Sequence, residues 1–201
     1  ALFAAAMLSV VGPKNTCDRR ELSDATKFLS VVLKFEFVYD PGVSFETQYG
    51  RSVTRYVELG WIKEEGPDVL RLRDSVTGAV HLYAKLVQNF IESYMLMGKA
   101  LTVLSQGPMT DRAFIDHCQE QAAHLFELGE VQCYESCSKV NLSNALKIFV
   151  EQRYIQERKV QQGKKTVRML DVEVGDRTGA QFAAFVDRIE SFHRPWRVGQ
   201  R

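Results

Sequence analysis

No stretch of this chain is long and apolar enough to cross a bilayer, which takes about 20 residues. The opening run Ala1–Val11 stops at Gly12-Pro13, and the apolar window 86–104 is broken by Gln88, Asn89, Glu92 and Lys99. The opening run has neither an initiator Met nor a basic n-region, so it reads as a helix cut from a longer protein and not as an intact signal peptide. Cysteine is scarce. The four residues, at 17, 118, 133 and 137, include an i,i+4 pair but no Cys-x2-Cys. That density argues against a secreted disulfide scaffold and for small buried thiols in a reducing compartment. Thirteen Gly and five Pro exclude collagen-like and mucin-like chains. Neither sign of charge dominates, with 26 Lys+Arg against 25 Asp+Glu and a net charge of +1. A protein whose whole surface binds nucleic acid is thereby excluded. GxGxxG, P-loop, GxSxG and HExxH motifs are all missing.

What is present is ordinary for a globular protein: 201 residues, 45% hydrophobic and 25% charged. That length makes one large domain or two small ones. Asp18 and Glu21 have capping-box spacing. Behind them Leu22, Ala25, Phe28, Leu29, Val32 and Leu33 line one helical face, ending near Lys34. Phe35–Tyr39 is β-prone and Asp40-Pro41-Gly42 is a turn. Tyr49, Val53, Tyr56 and Val57 form a second helical stripe closed at Gly60. Trp61–Lys63 and Val69–Leu72 flank Glu65-Gly66-Pro67-Asp68 as a short hairpin.

The longest helix is expected over His81–Leu104, on a stripe running Tyr83, Leu86, Val87, Phe90, Tyr94, Met97, Leu101 and Leu104. Thr110 or Asp111 caps the next helix, which buries Phe114, Cys118, Ala122 and Leu125 and stops at Gly129. A short helix covers Cys133–Cys137, and Asn141 or Ser143 opens another with Leu142, Ala145, Leu146, Phe149 and Val150 apolar. Tyr154–Val160 and Thr166–Val172 form a second hairpin. Thr178 and Gln181 have capping-box spacing and precede a last helix carrying Phe182, Phe185, Val186, Ile189 and Phe192, followed by a basic tail from Arg194.

The expected fold is mainly α with two small β-hairpins, near 61–73 and 154–172. Each half runs helix, helix, aromatic-Ile strand start (Trp61-Ile62; Tyr154-Ile155), hairpin. That order is the outline of a winged-helix unit, so two such units joined by a long helix are one arrangement it suggests. The division is 1–80, an N-terminal helical unit with hairpin; 81–110, the connecting helix; 111–175, a second helical unit with hairpin; and 176–201, a helix and basic tail.

Candidate chemistry is thin. Nucleophilic catalysis needs a base within reach of Ser or Cys. His117 and Cys118 are neighbours about 100° apart on a helix and face different ways. His117 and His124 lie on one face, but Glu120 and Gln121 complete no metal-ligand spacing, so no metal site is expected. The pointed feature is basic: Arg158, Lys159, Lys164, Lys165 and Arg168 gather around the second hairpin, with Glu157 as the acid among them. Such a hairpin can touch phosphates or anionic lipid headgroups. The preceding helix offers only Lys147, Asn144 and Gln152 as polar reach, which is thin for a groove reader.

Phe90-Ile91-Glu92-Ser93-Tyr94, then Glu135-Ser136, then Asn144-Ala145-Leu146-Lys147-Ile148-Phe149 and the hairpin follow in an order that resembles a known family. With Phe35–Tyr49 and Tyr56–Ile62, they look like the C-terminal region of the glycerol-3-phosphate and dihydroxyacetone-phosphate O-acyltransferases, over most of residues 1–175. The resemblance implies a parent enzyme that moves a fatty acyl group from acyl-CoA or acyl carrier protein to the sn-1 hydroxyl of a three-carbon phosphate. Its catalytic motif is His-x4-Asp, a general base with its orienting carboxylate. This chain departs there. The residues five beyond His81, His117, His124 and His193 are Leu86, Ala122, Gly129 and Val198. No catalytic residue is carried over, and the isolated chain is expected to be inactive.

The resemblance further implies an upstream acyltransferase domain as partner, acyl-CoA as co-substrate of the parent, and no cofactor. It implies an intracellular, membrane-associated location: mitochondrial outer membrane or peroxisome in a eukaryote, inner membrane in a bacterium. Nucleic acid is not the expected partner. The alternative is a tandem winged-helix module that binds nucleic acid or protein.

Overall fold

The computed structural model describes the backbone of residues 1–12, 14–162, 165–172 and 176–198, with side chains at all of these except 162, 165, 176–178 and 194–198. The chain divides into two compact units. One comprises Ala1–Gln88 and the chain from Ser191, and the other Asn89–Glu190.

The first unit opens with α1 (Leu2–Val10), a helix apolar on every side, with Phe3 to Leu8 all buried. Such a helix needs cover all round. α2 (Arg19–Val32) and α4 (Thr77–Lys85) both pack on it. Asp18 starts α2 as expected: its Oδ1 accepts from the amides of Arg20 (2.8 Å) and Glu21 (3.0 Å). Phe28 is only half-buried on that helix, and its ring stacks on Phe192 at 5.8 Å. Ser44 caps α3 (Phe45–Glu58), accepting from the Thr47 amide at 3.2 Å, and Gly60 ends it at a φ of 67°. Val53 and Tyr56 are the buried side chains of α3.

The hairpin of β2 (Ile62–Glu64) and β3 (Val69–Leu72) forms where expected. A third strand, β1 (Thr16–Asp18), pairs antiparallel with β3 and makes the sheet order β1-β3-β2. Three residues are too few to show an alternating period, so β1 is invisible to periodicity. Phe35–Tyr39 forms no strand. Its β-branched and aromatic content was a weak guide without a partner edge.

The helix expected over His81–Leu104 is interrupted. α4 ends at Lys85, α5 runs Gln88–Ala100, and a 3-10 segment follows at Leu101–Gln106. At the break Leu86 and Val87 bond back only three residues, to the carbonyls of Tyr83 (3.3 Å) and Ala84 (3.1 Å). The apolar stripe was not one face: Val87 is buried while Tyr83 and Leu86 point to solvent. A sequence apolar on several sides is compatible with more than one helical phase, and the packing chose two.

The second unit has α5 at its centre. Ile91, Tyr94, Met95, Leu96 and Met97 are buried, and so are Glu92 and Ser93. Phe90, expected in the core, is only half-buried. Gly98 lets α8 (Asp176–Val198) approach: a Cβ there would lie 2.8 Å from a Val186 methyl carbon. Thr110 caps α6 (Asp111–Glu127). The short helix forms as a 3-10 turn at Tyr134–Cys137. The next helix, α7 (Lys139–Glu151), is capped by Ser138, earlier than either residue expected, with Oγ 3.2 Å from the Asn141 amide.

β5 (Gln156–Gln162) and β6 (Lys165–Asp171) form the long hairpin, and β4 (Met109–Thr110) adds to β6, giving the order β4-β6-β5. Phe149, Tyr154, Phe182 and Phe185 meet in an aromatic cluster, with the Phe149 and Phe185 centroids 5.4 Å apart. The last helix begins at Asp176, so Thr178, expected ahead of it as a cap, lies within its first turn. The last helix runs on to Val198, through much of what was expected to be a tail.

Both sheets share one plan. In each unit a helix, a strand, two helices and two strands follow in order, and the third strand lies between the first two. The protein is thus mostly helical with two small three-stranded antiparallel sheets.

Candidate functional site

The basic hairpin is a regular antiparallel ladder from Gln156↔Asp171 to Gln162↔Lys165. Side chains alternate across it. Directly paired residues share a face, so Lys159 and Arg168 lie together and Arg158 lies on the other side, opposite Met169. Each described arginine has an acid. Arg158 pairs with Asp171 across the diagonal. Arg168 pairs with Glu157 on the same face, and also with Asp111 at 3.2 Å. Thr166 donates to Gln161 Oε1 at 3.0 Å across the ladder.

Two of the three carboxylates, Asp111 and Asp171, lie outside the stretch 157–168 that carries the cations. Pairing at this exposure contributes about 0–1 kcal/mol per bridge, but it cancels much of the local field. The hairpin's cationic reach therefore rests on Lys159 and on the turn. Lys164 lies outside the described residues, as does the side chain of Lys165.

A different cluster is wholly buried. The Glu92 carboxylate, 0% exposed, accepts from the Gln132 amide (3.1 Å), the Cys133 amide (2.9 Å) and Ser136 Oγ (2.8 Å). Ser93 Oγ, next along α5, lies within hydrogen-bond distance of the carbonyls of Ser136 (2.9 Å) and Asn89 (2.8 Å). Asn141 Nδ2 donates to the Glu135 carbonyl at 3.1 Å, and Gln119 Nε2 to that of Cys137 at 3.2 Å. The loop 131–138 is thus sewn down by side chains from α5, α6 and α7. Buried polar groups of this kind hold structure because each has its partner. Phe90–Tyr94 and Glu135–Ser136, read from sequence as separate blocks, are two sides of one clamp. The sequence marked Glu92 as a charge inside an apolar helix; its partners some forty residues on carried no local signal.

The other reactive side chains are quiet. Burial pushes the Cys17 thiol up to about 11 and the Cys118 thiol to about 12. Cys137 is also raised, by burial and then by the neighbouring Glu92 charge. None is a thiolate at neutral pH. His81 Nδ1 lies 2.9 Å from the Thr77 carbonyl of its own helix, and His117 Nε2 is buried without a hydrogen-bond partner. Among the described residues no group of His, Cys, Asp and Glu could hold a metal ion, and no helix is long and apolar enough to cross a membrane.

In the first unit, Phe3, Phe37, Tyr39, Phe45 and Tyr49 line a cavity of about 290 Å³. The Tyr49 hydroxyl donates to the Arg19 carbonyl at 2.9 Å. The Tyr39 hydroxyl is sealed in the wall without a partner, and burial raises it to about 12.

The family model described as the glycerol-3-phosphate acyltransferase C-terminal region matches residues 1–158, which is most of the chain, and the chain belongs to that family. The match takes in the Glu92 clamp and ends at Arg158, in the first strand of the basic hairpin. No curated protein matches the chain.

Proposed function

We propose, with membership of that family as the premise, that this chain is a noncatalytic domain of a membrane-associated acyltransferase. The parent would transfer a fatty acyl group from acyl-CoA to glycerol 3-phosphate or dihydroxyacetone phosphate in glycerolipid synthesis. The general base and its orienting carboxylate would come from an upstream acyltransferase domain, the partner of this one. The observation that carries this reading is the clamp. The residues that embody the family resemblance spend their polar groups on holding loop 131–138, with Glu92 fully buried. Such residues build a scaffold and leave the chemistry elsewhere.

The test is release of free CoA from acyl-CoA by the purified chain with glycerol 3-phosphate and, separately, dihydroxyacetone phosphate. No turnover is expected. Turnover that disappears in a His117→Ala variant would overturn the assignment.

On the same reading the hairpin meets anionic headgroups through Lys159, Lys164 and Lys165, each cation near the surface contributing about 1 kcal/mol. Binding should be weak, salt-sensitive and lowered by Lys159→Glu. A second reading, a tandem winged-helix module, draws on the shared order of the two sheets, β1-β3-β2 and β4-β6-β5. Tight binding of one duplex DNA sequence at physiological salt would put that reading first.

A further inference from the structure

α4 is the anomaly of the first unit. Its inner face, Val80 and Ala84, is buried, as is Val87 just beyond its end. Its outer face is also apolar: Leu82 is 64% exposed, Leu86 62% and Tyr83 45%. Leu82 and Leu86 stand one turn apart and form a ridge. A helix apolar on both faces belongs against something other than water. The ridge continues into neighbouring aromatics. Trp61 meets Tyr83 edge-on at 5.4 Å, and Tyr56 meets Trp61 at 5.2 Å. Leu59, 44% exposed, lies two residues before Trp61.

Along α4 itself the charge is basic, while Glu58 and Asp74 stand beside Leu59 and Arg73 at its margin. Residues 75–91 contain no Asp or Glu. Lys85 sits on the exposed side of α4, and the Arg73 guanidinium flanks the Gly60-Trp61 turn, 3.7 Å from where a Gly60 Cβ would lie.

We propose that this ridge is a lipid-surface contact: Leu82 and Leu86 enter the acyl boundary, Trp61 and Tyr83 sit at headgroup depth, and Arg73 and Lys85 meet anionic headgroups. Aliphatic tips, amphipathic aromatics and basic flanks together match the graded polarity of a membrane interface. The inference rests on the membrane-side reading above, but on a different set of residues from the hairpin.

The experiment uses the whole chain with Trp196→Phe, which leaves Trp61 as its tryptophan. Vesicles of phosphatidylcholine with phosphatidylserine should shift Trp61 emission to the blue, and brominated lipid chains should quench it. The pair Leu82→Ser/Leu86→Ser should weaken binding about tenfold or more. Its fold should hold, as read by circular dichroism, because both side chains are exposed. Lys85→Glu, a milder change, should weaken binding to the anionic vesicles and leave phosphatidylcholine alone unaffected.

Vesicle binding without quenching of Trp61, or binding unchanged in the leucine pair, overturns the ridge contact. If Lys159→Glu abolishes that binding, the hairpin reading stands alone. Binding lost in the leucine pair but kept in Lys159→Glu supports the ridge against the hairpin. No binding by the unaltered chain overturns both. A dimer that becomes monomeric in the leucine pair, with vesicle binding unchanged, assigns the ridge to a second copy and overturns the proposal.

Discussion

Replacing Glu92 with Ala tests the clamp directly. The substitution removes the acceptor from two backbone amides and one hydroxyl, those of Gln132, Cys133 and Ser136. One buried polar group left unsatisfied costs about 1–3 kcal/mol, so three acting independently would cost about 3–9. They do not act independently, because the loop can open and hydrate all three together. The expected loss is about 3–5 kcal/mol, in the lower half of that range. Ser136→Ala removes one of the three bonds and should cost about 1–2 kcal/mol.

A chain of two units need not unfold in one step, so a single midpoint would blur the result. Amide hydrogen exchange resolved by segment is the better assay. In the Glu92→Ala chain, residues 131–138 should exchange about a hundredfold faster or more, since each 1.4 kcal/mol is a factor of ten. Segment 16–32, in the other unit, should not change. Unaltered protection over 131–138, or a loss below about 1 kcal/mol, would refute the clamp as the anchor of that loop.

Gly98→Ala should destabilise by about 1–3 kcal/mol, because its Cβ would meet Val186 at 2.8 Å, and Val186→Ala should recover much of that in a urea titration. Tyr94→Ala, at a fully buried position, should cost about 3–5 kcal/mol, whereas Phe90→Ala, half-buried, should cost distinctly less; equal losses would refute the phase assigned to α5. Cys133, the half-buried thiol, should react first with a thiol reagent at neutral pH, and a second thiol reacting at the same rate would contradict the burial of Cys17, Cys118 and Cys137.

Stability should also fall in alkali. Cys118 rises from 9.0 to about 12 on folding, so its contribution is complete below pH 9 and is lost as the pH climbs toward 12. Tyr39, Tyr49 and Tyr56, raised from 10.0 to about 12, act in the same sense. A Cys118→Ala chain should show a shallower decline in urea midpoint above pH 9, and an identical slope would count against the buried thiol.

Much of this protein was legible one segment at a time. Asp18 announced α2, the apolar spacing of Val53 and Tyr56 announced α3, and the aromatic-Ile starts with their turns announced both hairpins. These features are set by residues within a turn or two of one another, where capping, periodicity and turn chemistry act without the rest of the chain. The family resemblance was readable for a related reason, since short blocks keep their order whether or not their meeting place is known.

Tertiary structure decided what depended on distant partners. β1 and β4 exist because β3 and β6 each had a second edge to fill. The break at Leu86-Val87 followed from which side of each helix found cover, which an apolar stripe on several faces leaves open. Arg168 gained a second acid, distant in sequence, once the fold brought Asp111 beside it. Glu92 turned from an unexplained charge in an apolar helix into the anchor of a loop forty residues away. A buried charge is tolerated only with partners at hand, and only the folded chain brings those partners within reach.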